Sequence, residues 1–205
     1  MKNSVISLIV AVFVGMLLNG CASTKITETS VDKSFKGKTV SNVLIIGVAS
    51  DKTNRLLFEK TFVQQLNAVG VKAVSSAAVI PIPADQKLEK EMLVEAINKF
   101  KNDAVLVTYI AGMDKKTSYK PAVYSVSPGY YGYYRYYYAH QIKPSSVSSH
   151  MKLCLETKLY DVETEKLMWS GLSETWETES VKKLIEGVIK VAVKEMQKNK
   201  LLPKK

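Results

Sequence analysis

Three sets of residues in this chain have types and spacings that point to chemistry, and Cys21 leads them. Met1-Lys2-Asn3 is a short positive start, Val5 to Leu18 is an almost unbroken apolar run, and Leu18-Asn19-Gly20-Cys21 ends it. A small residue before a cysteine at the end of a short apolar run is the pattern of a bacterial lipoprotein signal. The thiol is lipidated, and cleavage makes the cysteine the new N-terminus. A transmembrane anchor is disfavoured, because a span needs about 20 apolar residues. The expected anchor is therefore a lipidated Cys21, with 1–20 as signal peptide and the membrane as first partner. Ala22 and Ser23 follow, with no Asp after the cysteine. That matches sorting to the outer membrane, with the body facing the periplasm.

The second set is aromatic. Nine of the eleven tyrosines fall between Tyr119 and Tyr138, most of them in Ser-Pro-Gly-Tyr-Tyr-Gly-Tyr-Tyr-Arg-Tyr-Tyr-Tyr. Tyrosine offers a flat apolar face and a polar tip with few rotors to freeze, which suits contact with a sugar ring or a protein groove. Long connections inside a compact domain are often functional or disordered. An insertion over 119–140 is expected, with Tyr130, Tyr131, Tyr133, Tyr134, Arg135, Tyr136 and Tyr137 as a candidate partner-binding surface. A self-packed extension that binds nothing is the other reading of the same residues.

The third set is what a catalytic centre would draw on, and it is sparse. Only His140 and His150 exist, ten apart and without a neighbouring Cys or carboxylate cluster, so no metal and no cofactor is expected. No Gly-x-Ser-x-Gly is present for a hydrolase nucleophile. Cys154 has no basic neighbour at a suggestive spacing and reads as a small buried hydrophobe. Carboxylates at Asp161, Glu163, Glu165, Glu174, Glu177 and Glu179 lie on a turn and a strand end, where solvated acids are routine. A glycosidase pair near Asp161 and Glu174 is the enzymatic alternative. Gly47 to Thr53 places amides at a helix start, a generic anion site without phosphate-loop spacing. The expectation is a protein that is not an enzyme.

The elements that must position these residues follow from periodicity. Beyond Cys21 the chain is long enough for one domain with an ordinary core. Residues 21–40 are polar and read as a tether, and 41–202 as an α/β domain. Val43 to Ala49 is a strand buried on both faces. Asp51 or Thr53 caps a helix carrying Leu56, Phe62, Leu66 and Val69, and Gly70 stops it. Val71 to Val74 is a second strand, Ser75 to Asp85 a loop, and Leu88, Met92, Ala96 and Phe100 mark a second helix. Asp103 to Ile110 is the third strand. This β-α-β-α-β order favours right-handed crossovers. Met151 to Leu159 alternates as a strand with one wet face at Lys152, Glu156 and Lys158, and a turn at 160–165 returns it as 166–176. A C-terminal helix from about Glu179 to Asn199 buries Val181, Leu184, Ile185, Val188, Ala192 and Met196. The fold class expected is a single mixed-sheet α/β domain with that helix packed on the sheet.

The formal charge of +10 prompts a nucleic-acid reading, but a compartment outside the cytoplasm excludes nucleic acid as partner. The lysines, densest from Lys182 to Lys205, read as a solvated helix face. With Cys21 committed to lipid, Cys154 has no disulfide partner.

Several motifs together resemble a family of uncharacterised proteobacterial outer-membrane lipoproteins with a domain of unknown function. They are the lipobox, Asn54-Arg55-x-x-Phe58-Glu59, Asp103 to Val107, the tyrosine run, and Leu159-Tyr160-Asp161-x-x-Thr164-x-Lys166-Leu167-x-Trp169-Ser170-Gly171. The family commonly has Gly where Glu165 stands, which implies a left-handed backbone there. More loosely, the layout is similar to small α/β domains of periplasmic accessory lipoproteins acting on cell-wall synthases, and of the curli secretion lipoprotein. The resemblance implies a location, an architecture and no activity. A binding or accessory role in the envelope is the leading expectation, with hydrolysis or self-assembly through tyrosines as alternatives. Trp169 is expected to be a core anchor.

Overall fold

The computed structural model describes residues 23–35, 37–49, 51–80, 87–113, 129–139, 152–176 and 180–204. The signal segment, Cys21, His140, His150 and the first part of the tyrosine insertion, 119–128, lie outside them.

Among the described residues six strands form one mixed sheet. They are β1 (Ser23–Val31), β2 (Asn42–Val48), β3 (Lys72–Ser75), β4 (Ala104–Met113), β5 (Lys152–Asp161) and β6 (Leu167–Trp176), in the order β1-β6-β5-β4-β2-β3. β4, β2 and β3 are parallel, and β4, β5, β6 and β1 are antiparallel. The helices are α1 (Lys52–Ala68), a single turn α2 (Ser76–Val79), α3 (Lys90–Phe100), α4 (Tyr130–Ala139) and α5 (Val181–Lys198). The expected mixed-sheet α/β architecture, with its closing hairpin and C-terminal helix on the sheet, is what the chain forms.

Two cores flank the sheet because β2 is apolar at every position but one. Val43 and Ile45 meet Phe58, Phe62 and Leu66 of α1 and the apolar stripe of α5. Leu44, Ile46 and Val48 meet Leu93 and Ile97 of α3 and the tyrosines of α4. Alternate strand residues thus serve opposite layers, as the period of two requires. Local signals set the helix ends. Asp51 accepts from the Asn54 amide at 2.7 Å to start α1, and Gly70 at φ +84° ends its turn. Ser180 accepts from the Lys183 amide at 3.2 Å to start α5. Val181 and Leu56, expected inside, are 43 % and 45 % exposed. Val181 is the first residue of α5, and Leu56 is the fifth of α1.

Two expectations about the chain path are corrected. Residues 23–31, assigned to a tether, are the edge strand β1, paired with β6 from Ser23 opposite Trp176 to Val31 opposite Trp169. The polar run conceals alternating β-branched residues that suit an edge. Thr24 packs so closely on α5 that a Cβ on Gly187 would stand 2.6 Å from its Oγ1. Part of the presumed loop after β3 is α2, capped by Ser75.

The hairpin behaves as its motif suggests. Glu165 is left-handed at φ 54°, at the position where the similar family has glycine. The Asp161 carboxylate takes the Thr164 amide at 3.1 Å and hydroxyl at 2.7 Å and pairs with Lys38. Trp169 is fully buried, and a Cβ on Gly171 would be 2.5 Å from the indole. The Trp-x-Gly spacing therefore lets the ring lie down over its own strand.

Candidate functional site

The tyrosine run is not a loop. From Tyr130 it is the helix α4, lying across the face of β4 and β5 that the alternation of β5 left for water. Tyr130, Tyr133, Tyr134 and Tyr137 are buried, and their spacing of three, four and seven residues is one helical stripe. Gly129, at φ +89°, leads into the helix beneath the Glu165 side chain.

The stripe meets a second aromatic set supplied by the sheet. Tyr109 of β4 stacks on Tyr137 with centroids 3.4 Å apart and meets Tyr133 edge-on at 5.6 Å. Tyr160 of β5 lies 6.0 Å from Tyr133. Beneath the rings sits an ion pair. Tyr133 Oη donates to Glu156 Oε2 at 2.8 Å, Lys158 Nζ stands 3.4 Å from Glu156 Oε1, and the same ammonium is 4.1 Å from the Tyr133 ring centroid. Glu156 is 5 % exposed, so the phenol, the ammonium and the ring face replace water around it. Tyr134 Oη accepts from the Leu88 amide at 2.9 Å, tying α4 to the segment before α3.

Burial governs how these groups ionise. It pushes the Tyr133 phenol well above its ordinary value, and the Glu156 charge pushes the same way. Burial also raises Tyr160, and moves Tyr134 up to about 12 against the opposing Leu88 amide. Lys158 is lowered by burial, with Glu156 pulling it back. At neutral pH the buried phenols therefore stay protonated, and the Tyr133 hydroxyl donates to the Glu156 carboxylate.

The candidate contact residues thus divide into two groups. Tyr130, Tyr133, Tyr134 and Tyr137 are core residues and offer no free face, which corrects their assignment as a partner surface. Arg135 and Tyr136 point outward, and Tyr131 is half-buried with its hydroxyl donating to Glu89 Oε2 at 3.2 Å. Tyr109, Tyr160, Glu156 and Lys158 belong to the cluster and were not among the expected residues. Their signal was the alternation of β5, which places charge under whatever covers that face.

The other candidates are placed differently. One amide of the first strand–helix junction, Gly47 N, faces an anion of the chain's own. The fully buried Glu59 carboxylate accepts from Gly47 N at 2.9 Å, Arg55 Nε at 2.9 Å, Ser76 Oγ at 3.0 Å, Ser75 Oγ at 2.7 Å and Ala77 N at 2.7 Å. Asp161 and Glu174 are not brought together. Glu174 is opposite Cys154, seven residues along β5 from Asp161, which is about 24 Å at strand rise. A glycosidase pair stands no more than about 9.5 Å apart. For Asp161, burial works to raise the carboxyl, but Lys38 and Thr164 outweigh it and hold it below its ordinary value. Cys154 is buried, and burial pushes its thiol up. Among the described residues no group of three or more His, Cys, Asp and Glu could hold a metal, and no helix is long and apolar enough to cross a membrane.

Fold and site together define a mixed-sheet α/β domain whose tyrosine-faced helix α4 packs on the same side of the sheet as α3. Among solved structures the chain is similar to the PelC dodecamer of Paraburkholderia phytofirmans, at 11% identity and a TM-score of 0.46, over 89% of this chain and 99% of that one. It is also similar to the lipoprotein GNA1162 of Neisseria meningitidis, at 13% identity and a TM-score of 0.41, over 77% and 96%. No family model and no curated protein matches the chain.

Proposed function

We propose that this protein is a lipid-anchored component of the cell envelope with a non-catalytic binding or accessory role, held in the outer membrane and facing the periplasm. The anchor is Cys21, on the strength of the charged start, the short apolar run and the Gly-Cys ending. The contact surface is the outer side of α4, around Arg135 and Tyr136, with Tyr131 beside them.

One observation carries this reading. Four tyrosines of α4 are committed to the sheet, so the outward side chains stand on a fixed element rather than on a loop that must be ordered at each encounter. Pre-organisation of that kind removes an entropic cost from binding. Tyr136 is 40 % exposed with its ring edge-on to Tyr137 at 4.9 Å, so it is oriented as well as accessible. An aromatic face beside a guanidinium suits an envelope protein or a glycan such as peptidoglycan. The test is in-cell crosslinking from a photoreactive phenylalanine at position 136. A discrete protein adduct, or retention on isolated sacculi that Arg135→Ala abolishes, is expected. The absence of both an adduct and retention on sacculi would contradict the proposal.

A further inference from the structure

The sheet begins almost at the anchor. Only Ala22 lies between Cys21 and Ser23, the first residue of β1. Two residues of extended chain reach at most about 7 Å, roughly the depth of one headgroup layer. With no tether, the strand end that starts at Ser23 must stand at the bilayer surface.

What stands at that end has the chemistry of a membrane interface. Ser23 pairs with Trp176, and Lys152, the first residue of β5, pairs with Trp176 from the other side. Trp176 is 38 % exposed. Lys152 Nζ lies 5.7 Å from its ring centroid while ion-paired to Glu174. Val181, the first residue of α5 and five residues beyond Trp176 in sequence, is among the few large apolar side chains left exposed among the described residues. Tryptophan favours the headgroup layer, where its ring is shielded and its N–H stays hydrated, and a neighbouring lysine can meet lipid phosphate.

We infer that this end of the sheet is seated on the membrane that holds Cys21, with the Trp176 indole in the headgroup layer and Lys152 against lipid phosphate. The inference rests on the lipid-anchor reading. It fixes the orientation of the domain: the Asp161–Glu165 turn, at the opposite end of β5, points away from the bilayer.

The chain's two tryptophans make the test direct, because Trp169 is buried and Trp176 is exposed. The full-length lipidated protein is reconstituted into phosphatidylethanolamine–phosphatidylglycerol vesicles, with or without acyl chains brominated near the headgroup. Vesicle flotation is read alongside tryptophan fluorescence. Flotation with bromolipid quenching that disappears in Trp176→Phe is expected, the Trp169 emission remaining as a fold control. Flotation without quenching overturns the seating and leaves the anchor standing. Failure to float, with no lipid mass on Cys21, overturns the anchor and the seating together.

Discussion

Replacing Tyr133 by Phe removes a single oxygen from the centre of the tyrosine cluster. The ring stays, and with it the edge contacts to Tyr109 and Tyr137 and the face over Lys158. What is lost is the 2.8 Å donor to Glu156 Oε2, in a site where Glu156 is 5 % exposed and water cannot take the phenol's place. A hydrogen bond to a buried charged group contributes about 1.5–3 kcal/mol. For a domain of this size, about 2 kcal/mol lowers the melting midpoint by roughly 4–8 °C. Tyr131→Phe is the matched control, since it also removes a phenol–carboxylate bond, but to the solvated Glu89 at 3.2 Å. Water replaces that donor, and the expected change is within about 0.5 kcal/mol. Urea titration of both variants reads the difference as a shift in midpoint at constant slope. Equal, negligible shifts in the two would refute the claim that α4 is a core element closing over Glu156.

Gly171→Ala places a methyl 2.5 Å from the Trp169 indole and is expected to cost about 1–3 kcal/mol, read by thermal melting together with Trp169 emission. Glu165→Gly relieves a left-handed φ of 54° on an exposed side chain; the left-handed strain of about 1–2 kcal/mol exceeds the entropy cost of glycine, so a gain of roughly 0.5–1 kcal/mol in urea midpoint is expected. Tyr130, Tyr131, Tyr133, Tyr134, Tyr137 and Tyr160 are all raised, chiefly by burial. The folded state keeps these protons while the unfolded chain loses them near pH 10, so stability is full below about pH 10 and falls as pH rises beyond it. Lys158, lowered by burial, opposes this as a single group. Phenolate absorbance of the buried tyrosines should appear together with loss of near-UV dichroism, and early ionisation in the folded protein would contradict their burial.

Most of the sheet was legible because its strands and helices differ in period. The run at Val43–Ala49 could only be a strand covered on both sides, and Gly70 and Asp51 marked helix ends by backbone chemistry alone. Trp169 was legible as a core anchor from its strand position, whereas the left-handed position at Glu165 was implied only by the glycine of the similar family. β1 was not legible. Ser23–Val31 is mostly Ser, Thr, Lys and Glu with apolar residues only at Ile26 and Val31, because an edge strand buries little, and its partner β6 lies some 145 residues away. The tyrosine helix was hidden for a different reason. Its inward stripe and its outer side both carry tyrosine, so the contrast that reveals a helical period is absent. The charges of β5 were read as facing water, since no sequence rule says that Glu156 and Lys158 will be covered by phenols.

The division of α4 into a buried and an outward side underlies both the site and the proposed contact surface, and mild tyrosine nitration with site-resolved mass spectrometry tests it most directly. Tyr136 should react well ahead of Tyr130, Tyr133, Tyr134 and Tyr137, which are buried and held by ring contacts and hydrogen bonds. Similar rates at all five positions in the folded protein would mean that the run is an open aromatic loop, and the account would fail.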